Sequence, residues 1–427
     1  MSDRIPENHL DVYDDRFELF MNGENSVYYE GFQNTATQRR YEKITNEFEK
    51  GYLQAVFDGL AKADFSAMSD NNKKLLKHLV EGITSEVGRA LVGVAFLQLA
   101  IKSITPEQCI RLHKGTTRRG SFSWVEGISM RTLDLNYSTP FLREHGLLNV
   151  NKFGVFMTRS LAENYPYTTL YKAEMRGPFN HWIKIVDALE SNELPAKEGL
   201  MYLMALLKNR SDTFQNTADQ AIRLVEHHRN DSFESISMLL SRFFNETSYS
   251  ARAFEVTMHG FMQALQEMHL LGDCALVEMS QMRSANKKHG NVGDIELREG
   301  RTIVEAWDGK YGKPYLRDEI EELYDKLLVS PGVRTAGFVV DSEPDCRREI
   351  VQRVKEIETM TGVDIHLMSF DSWLKWQIEK ANPIKLNELA YRWLRAVVES
   401  FGQRRLEIAP IDEPCDEWLN DLIKMMK

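Results

Sequence analysis

Residues 291–313 read NVGDIELREGRTIVEAWDGKYGK, and this stretch predicts a β-hairpin. The segments GDIELR and RTIVEAWDG flank Glu299-Gly300, and glycine tolerates the positive φ angle that tight hairpin turns require. Antiparallel pairing about this turn would bring Asp294 beside residues 305–308. Lys310 comes two positions after Asp308, so in a strand both side chains point to the same face. We therefore expect carboxylates and an ammonium group to converge at the open end of the hairpin.

The residues expected there suit a hard cation. Two carboxylates a few ångströms apart repel each other unless a cation lies between them. Oxygen ligands favour Mg²⁺, which prefers octahedral coordination and keeps several waters. Asp294 and Asp308 are candidate metal ligands and catalytic residues, and Glu305 is a further candidate for both roles. Lys310 would stabilise charge developing on a phosphorane or lower the pKa of an attacking water.

The alternative to a metal site is that the hairpin is an ordinary solvent-exposed edge of the sheet, because an acidic hairpin followed by a lysine is common on protein surfaces. Two features favour a site. Gly293-Asp294 begins a strand rather than lying within a loop, and apolar residues that would pack on a core flank the acids. These flanking residues are Ile303, Val304, Ala306 and Trp307.

The chain around the hairpin alternates between helical and strand patterns. An amphipathic segment at 250–271 predicts a helix before the hairpin. After it the pattern predicts, in order, helix 315–328, strand 333–341, helix 346–362, strand 364–370 and helices 371–381 and 384–401. Strands interleaved with helices imply an α/β sheet with helices packed on its faces.

The first half of the chain is mostly helical in pattern. Apolar residues recur at three-and-four spacing over 36–63 and 68–101, and further helices are expected at 179–192, 195–210 and 213–229. Residues 139–177 look like a winged-helix-type reader, with a helix, a turn and a short strand or wing. The change of pattern predicts two domains, 1–245 and 246–427.

The hairpin and the order of elements around it resemble the PD-(D/E)xK nuclease superfamily. Its signature is an acid at the start of one strand and an acid-x-lysine on the next, matched here by Asp294 and by Asp308-Gly309-Lys310. Gly293 stands where the motif has proline. The resemblance covers about the last 175 residues and implies a restriction-endonuclease-like mixed sheet flanked by helices.

The alignment with this motif leaves one choice open. Glu305-Ala306-Trp307 also fits, but it puts tryptophan in the place of the lysine, so Asp308 with Lys310 is preferred. The family often adds an acid from the preceding helix, which here would be Glu255, although an ordinary surface glutamate fits that position equally well.

The resemblance implies a type II restriction endonuclease. Such an enzyme hydrolyses double-stranded DNA at a specific sequence with Mg²⁺, leaving 5′-phosphate and 3′-hydroxyl ends. It also implies a cognate DNA methyltransferase in the same system and a homodimer, since cutting both strands of a palindrome needs two equivalent sites. A catalytically inactive or structure-specific DNA-binding protein of the same fold is the alternative, motivated by Trp307.

Basic residues in both halves are candidate DNA contacts. Residues 111–131 are rich in arginine and glycine with interleaved aromatics. Basic residues on such a segment can contact successive phosphates, and arginine can hydrogen-bond to guanine in the major groove. The KKHG segment before the hairpin lacks acids and would lie beside the scissile strand. The candidates are Lys114, Arg118, Arg119, Arg131, Arg159, Lys172, Lys287, Lys288 and Lys313.

Charge and cysteine usage restrict the class of protein. The formal net charge of −10 argues against indiscriminate nucleic-acid binding, but it allows a positive cleft on an acidic exterior. The four cysteines form no CxxC pair or zinc spacing, which favours a reduced cytoplasmic protein. The polar, acidic opening residues and the lack of a long apolar run predict no secretory signal and no membrane association.

Overall fold

The computed structural model of the chain describes residues 7–402 and 414–427, apart from 22, 67, 84–85, 158–160, 162–163, 171–174, 176, 280–290 and 382–384. The chain forms two compact units, Met1–Thr213 and Phe214–Lys427. The division falls inside one long helix, Ala196–His227. The boundary placed at residue 245 on sequence grounds lies within the second unit.

The second unit is built on a five-stranded mixed sheet of order β4-β5-β6-β7-β8. β4, β5 and β6 pair antiparallel, whereas β6, β7 and β8 run parallel. Parallel neighbours need a crossover connection, and a helix supplies each one. The strands are β4 (Ala275–Leu276), β5 (Ile295–Glu299), β6 (Thr302–Lys310), β7 (Thr335–Val340) and β8 (Asp364–Ser369).

Helices cover both faces of this sheet. On one face a core that includes Trp307 packs against α10 and α14, and on the other a core that includes Ala306 packs against α11 and α12. α10 and α14 approach closely at Gly260, where a β-carbon would lie 2.8 Å from Val397 Cγ2. The helices are α9 (Phe233–Glu246), α10 (Ser250–Glu267), α11 (Arg317–Leu328), α12 (Arg348–Thr361), α13 (Phe370–Lys380), α14 (Leu386–Gly402) and α15 (Cys415–Met425).

The hairpin formed by β5 and β6 confirms the sequence prediction for residues 291–313. Gly300 lies at the turn with φ +61°, a conformation that glycine adopts without strain. β6 is buried along most of its length, as expected of a strand with neighbours on both sides and helices on both faces. The open end of the hairpin is therefore held against a core.

The first unit is mostly helical but also contains a small antiparallel sheet that the sequence patterns did not suggest. This sheet has the order β1-β2-β3, with Phe17, Leu19 and Tyr28 packed on Trp124. Its elements are β1 (His9–Val12), β2 (Arg16–Met21), β3 (Glu24–Tyr29), α1 (Thr35–Glu49), α2 (Tyr52–Asp58), α3 (Asp70–Glu81), α4 (Glu86–Ile104), α5 (Met130–Leu133), α6 (Thr139–Glu144), α7 (Phe179–Glu190) and α8 (Ala196–His227).

Two predictions for the first half differ from the structure. Residues 195–210 and 213–229 were expected as separate helices, but α8 is continuous from Ala196 to His227 because the chain between them contains no glycine or proline. In the described part of 139–177 the structure has α6 and a 3₁₀ turn at Val155–Met157 but no strand, so the expected wing is not found there.

α4 is, among the described residues, the one helix long and apolar enough to cross a membrane by length and composition. Its apolar window Val87–Ile104 is 83% buried inside the structure. A helix that is apolar on all sides and enclosed by protein has the character of a core helix.

Candidate active site

Asp294 and Asp308 lie side by side at the open end of the hairpin. β5 and β6 pair with Ile295 opposite Trp307, so the register continues to place Asp294 opposite Asp308. The two carboxyl groups are within hydrogen-bonding distance of each other. Asp294 Oδ2 also accepts a hydrogen bond from the Gly309 amide at 3.2 Å. With both carboxylates ionised, Asp308 Oδ1 is buried and has no hydrogen-bond partner in the described structure.

Lys310 completes this group from the same strand. Its Nζ lies 2.8 Å from Asp308 Oδ2, and its side chain is 23% exposed, so the ammonium group can reach a ligand from solvent. Alternation along β6 places Asp308 and Lys310 on one face of the sheet and Trp307 on the other. The acid-x-lysine spacing thus brings the carboxylate and the ammonium into one ion pair.

α10 brings Glu255 to the same end of β6. The helix lies close to Gly309, where a β-carbon would stand 3.5 Å from Glu255 Cγ. Arg252, one turn earlier and only 5% exposed in its side chain, donates from Nη1 to Glu255 Oε2 at 2.7 Å. Sequence reasoning missed Arg252, although its i, i+3 spacing from Glu255 on a helix was a usable signal.

The pKa values of Asp294 and Asp308 are shifted in opposite directions. Burial, together with the neighbouring Asp308 carboxylate, raises the pKa of Asp294 well above its ordinary value. Burial also opposes ionisation of Asp308, but the hydrogen bond with Asp294 and the charge of Lys310 outweigh it and lower the pKa of Asp308. When the pair carries a single proton, that proton therefore resides mainly on Asp294.

The two other charged groups respond to this pair. Burial disfavours the charged form of Lys310, yet the charges of Asp308 and Asp294 outweigh burial and raise the pKa of the lysine. Burial raises the pKa of Glu255, with Arg252 counteracting part of that shift and Asp308 adding to it. With a proton on Asp294, the charges of Asp308 and Glu255 are balanced by those of Lys310 and Arg252. Loss of that proton leaves one carboxylate charge in excess, which a cation would relieve.

Glu305 does not join this group. It lies on the face of the sheet opposite Asp308, 5% exposed, where its Oε1 accepts hydrogen bonds from Trp307 Nε1 at 2.7 Å and Gln377 Nε2 at 3.2 Å. Lys380 forms an ion pair with its other oxygen. The alternative reading of the motif, with Glu305 as its second acid, therefore places that acid away from Asp294.

The donor set at the hairpin fits Mg²⁺ in chemical type. Asp294, Asp308 and Glu255 offer oxygen ligands only, and the buried Asp308 Oδ1 lacks a partner once both aspartates are ionised, as binding of a cation requires. No three His, Cys, Asp or Glu side chains in the described structure form a group that would hold a metal ion by themselves. Mg²⁺ is commonly bound by one or two carboxylates, with waters and substrate phosphate completing its shell, and the aspartate pair meets that requirement.

The candidate DNA-contacting residues are dispersed. Arg118 and Arg119 are exposed beside Gly120, whereas Lys114 is half-buried and donates to Asn164 Oδ1 at 2.5 Å. Arg131 is exposed on α5, and Lys313 follows β6 and is paired with Glu319. The remaining candidates, Arg159, Lys172, Lys287 and Lys288, lie outside the described residues.

Two other members of the basic segment 111–131 have structural partners. Arg111 is buried in an ion pair with Asp187 at 2.6 Å. His113 stacks on Phe156 with 4.5 Å between ring centroids, and burial lowers its pKa to about 3. Trp124 is fully buried. Within the described part of this segment, Arg118, Arg119 and Arg131 are therefore the exposed cations.

Comparison of the chain with known protein families and with curated proteins found no match.

Proposed function

We propose that this chain is a Mg²⁺-dependent endonuclease that hydrolyses phosphodiester bonds of double-stranded DNA. The observation that carries the proposal is the pairing of half-buried Asp294 with buried Asp308 at the open end of the hairpin, with the Lys310 ammonium 2.8 Å from Asp308. The order of elements, α10, the β5–β6 hairpin, α11, β7, α12 and β8, agrees with the resemblance to the PD-(D/E)xK nucleases. Sequence-specific cutting by a restriction-endonuclease-like fold is the finer form of the same proposal.

Each side chain has a role in this proposal that follows from its charge and place. Asp294 and Asp308 would hold the cation, with Glu255 a further oxygen ligand or a source of negative potential. When bound, Mg²⁺ supplies Lewis-acid polarisation of a phosphoryl oxygen and acidifies a coordinated water. Lys310 would face the phosphate and stabilise the negative charge that develops during in-line attack. Arg252 holds Glu255 in its rotamer.

The decisive test is plasmid cleavage by the purified protein and two variants. We expect Mg²⁺-dependent cutting by the parent and, for Asp294→Ala and Lys310→Ala, a loss of about a hundredfold or more. Both variants should still bind duplex DNA, because neither change affects the exposed basic residues. Lys355→Ala, which removes an exposed lysine from α12, is the matched control and should cut normally.

The products distinguish the forms of the proposal. Discrete fragments of unmethylated phage DNA with 5′-phosphate ends would identify a site-specific restriction enzyme. A smear would identify a nuclease without sequence preference. Undetectable cutting by the parent with duplex binding retained would reject the enzyme and favour a non-catalytic DNA-binding protein of the same fold.

A further inference from the structure

Two charged side chains hold the residues immediately before Asp294. Glu296 Oε1 accepts hydrogen bonds from the backbone amides of Val292 at 2.6 Å and of Gly293 at 3.3 Å. Lys326 of α11 donates from Nζ to the Val292 carbonyl oxygen at 3.1 Å. These three consecutive backbone groups are therefore bound by side chains, ahead of the point at which β5 begins.

The two side chains lie on the same side of the sheet as Asp308. Glu296 is paired with Ala306 across the hairpin, so both point toward α11, whose apolar residues share a core with Ala306. Asp308 follows Ala306 by two positions and points the same way. Lys326 comes from that helix, so its ammonium group approaches the hairpin from the face that Asp308 occupies.

The charge of Lys326 acts on both carboxylates of this face. Burial raises the pKa of Glu296, and the two backbone hydrogen bonds and the charge of Lys326 counteract part of that shift. Burial also opposes ionisation of Asp308, and Lys326 adds to the hydrogen bond with Asp294 and the charge of Lys310 that together lower the pKa of Asp308. Lys326 is therefore close enough to interact with Asp308, while its hydrogen bond goes to the backbone beside Asp294.

Stability alone does not account for charged groups in this position. Glu296 is 6% exposed and Lys326 is half-buried, and apolar residues such as Val292 and Leu323 form the core around them. Buried charged pairs can often be replaced by apolar residues of similar size without loss of stability. Apolar side chains cannot bind backbone amide and carbonyl groups, however, and the groups bound here precede an aspartate that must lie opposite Asp308 if the two are to share a cation.

We propose that Glu296 and Lys326 are positioning residues of the candidate metal site, which fix residues 292–293 so that the Asp294 carboxyl faces Asp308. The inference rests on the proposed nuclease function and adds to it the groups that preorganise one metal ligand. Neither side chain has to touch the metal ion or the substrate in this role. Loss of such outer groups commonly costs about tenfold to a hundredfold in metal affinity.

The test measures binding of Mn²⁺, as a substitute for Mg²⁺, to the full chain without DNA by electron paramagnetic resonance. We expect Lys326→Met to bind Mn²⁺ about tenfold more weakly than the parent, because Asp294 is no longer held opposite Asp308. The direction of the change identifies the role. A lysine that acted only through its charge would repel the cation, so its removal would tighten binding.

Three further variants isolate the hydrogen bonds from the charges. Lys326→Arg retains a positively charged donor and should restore most of the Mn²⁺ affinity. Glu296→Gln and Glu296→Met lose the same charge, but only glutamine retains an acceptor for the two amides, so it should bind Mn²⁺ more tightly than the methionine variant. Lys355→Met, which changes an exposed lysine of α12, is the matched control and should bind as the parent does.

Folding of each variant is followed by circular dichroism and urea unfolding. In folded Lys326→Met, cleavage at saturating Mg²⁺ should be about tenfold slower, whereas duplex affinity in EDTA should equal that of the parent. Should Lys326→Met not fold, comparison of the two Glu296 variants tests the same role.

Contrary outcomes separate this inference from the nuclease proposal. If the parent binds Mn²⁺ and cuts DNA, but folded Lys326→Met binds Mn²⁺ as tightly as the parent or more tightly, the positioning role is wrong and the nuclease stands. Equal Mn²⁺ affinities in the two Glu296 variants would reject that role for Glu296. If the parent neither binds Mn²⁺ nor cuts DNA, both proposals are wrong.

Discussion

At the scale of single residues, the protonation state of Asp294 controls the candidate site. Its half-buried carboxyl lies beside Asp308, and both partial burial and that neighbour favour the protonated form. A divalent cation needs the deprotonated form. Mg²⁺ affinity should therefore rise with pH as the shared proton is lost.

The raised pKa of Asp294 has a consequence for stability in EDTA. Above the ordinary value of 3.8 the unfolded chain loses the Asp294 proton while the folded chain retains it, so the free energy of unfolding falls with rising pH until the folded-state pKa is passed. We expect Asp294→Asn to weaken this fall and to raise stability at neutral pH. Urea unfolding from about pH 4 to about pH 8 measures it.

The control for this prediction is Asp325→Asn, which changes an exposed carboxyl on α11 and should leave the pH dependence as in the parent. An Asp294→Asn protein whose unfolding free energy follows the same pH curve as the parent would contradict the assignment of the proton to Asp294.

Glu305 is predicted to be structural rather than catalytic. Glu305→Ala would leave buried donors on Trp307 and Gln377 without an acceptor, and each such donor costs about 1–3 kcal/mol. Glu305→Gln retains an acceptor of the same size, so it should cost less and retain Mg²⁺-dependent cutting. Urea unfolding and plasmid assays on both variants measure this. A folded Glu305→Gln protein that cannot cut DNA would place Glu305 in the reaction.

At the scale of elements, the hairpin holds the site through a close approach of its two strands. A β-carbon at Gly293 would lie 2.7 Å from the Trp307 carbonyl oxygen, a backbone atom that cannot move aside without moving β6. Gly293 therefore allows Asp294 to lie opposite Asp308. Glycine is needed at position 293 because a side chain there would collide with the backbone of β6.

Gly293→Ala should therefore destabilise the protein by about 1–3 kcal/mol and reduce cleavage more than DNA affinity, because the strands must separate at the aspartates. Thermal unfolding, cleavage and binding assays measure the three quantities. Gly300→Asn is the control in the same hairpin, since the φ of +61° suits asparagine and nothing lies within 4 Å of its β-carbon. Equal effects of the two changes on cleavage would reject this role for Gly293.

At the scale of the whole molecule, the net negative charge of the protein opposes the binding of DNA, which is also negative. With a net charge of −10, binding depends on local cations, of which Arg118 and Arg119 are exposed. Each of Arg118→Ala and Arg119→Ala should weaken binding of all sequences alike and reduce the slope of log affinity against log salt by about 1. Titrations at several salt concentrations measure the slope, and the exposed Arg39→Ala is the control. An unchanged slope in both variants would exclude these arginines from the DNA interface.

A homodimer predicts a characteristic result when active and inactive chains are mixed. Asp308→Asn subunits in excess should sequester active subunits in mixed dimers that cut one strand, so nicked plasmid should accumulate in place of linear plasmid. Gel analysis of the products measures this, and sedimentation of the protein alone reports its oligomeric state. Linear product that falls only in proportion to dilution would indicate independent monomers.

The sequence predicted the secondary structure of the second half of the chain more completely than that of the first half. The helices and strands around the hairpin were predicted because their apolar periodicity is strong and glycines mark the turns. The β1–β3 sheet was not, because only Phe17, Leu19 and Tyr28 of its strands are buried, with Leu10 and Met21 partly buried beside them. The Asn22-Gly23 pair, a strong hairpin signal, was the cue available there.

The sequence by itself determined the hairpin, the alternation of elements after it and the placing of Asp308 and Lys310 on one side of a strand. These follow from local properties: glycine at the turn and a side-chain period of two. Only the tertiary structure decided that Asp308, and not Glu305, lies opposite Asp294, that Arg252 pairs with Glu255, and that α10 and β4 line a common cavity. Strand register and helix packing join residues far apart in the chain, and local periodicity holds no information about such contacts.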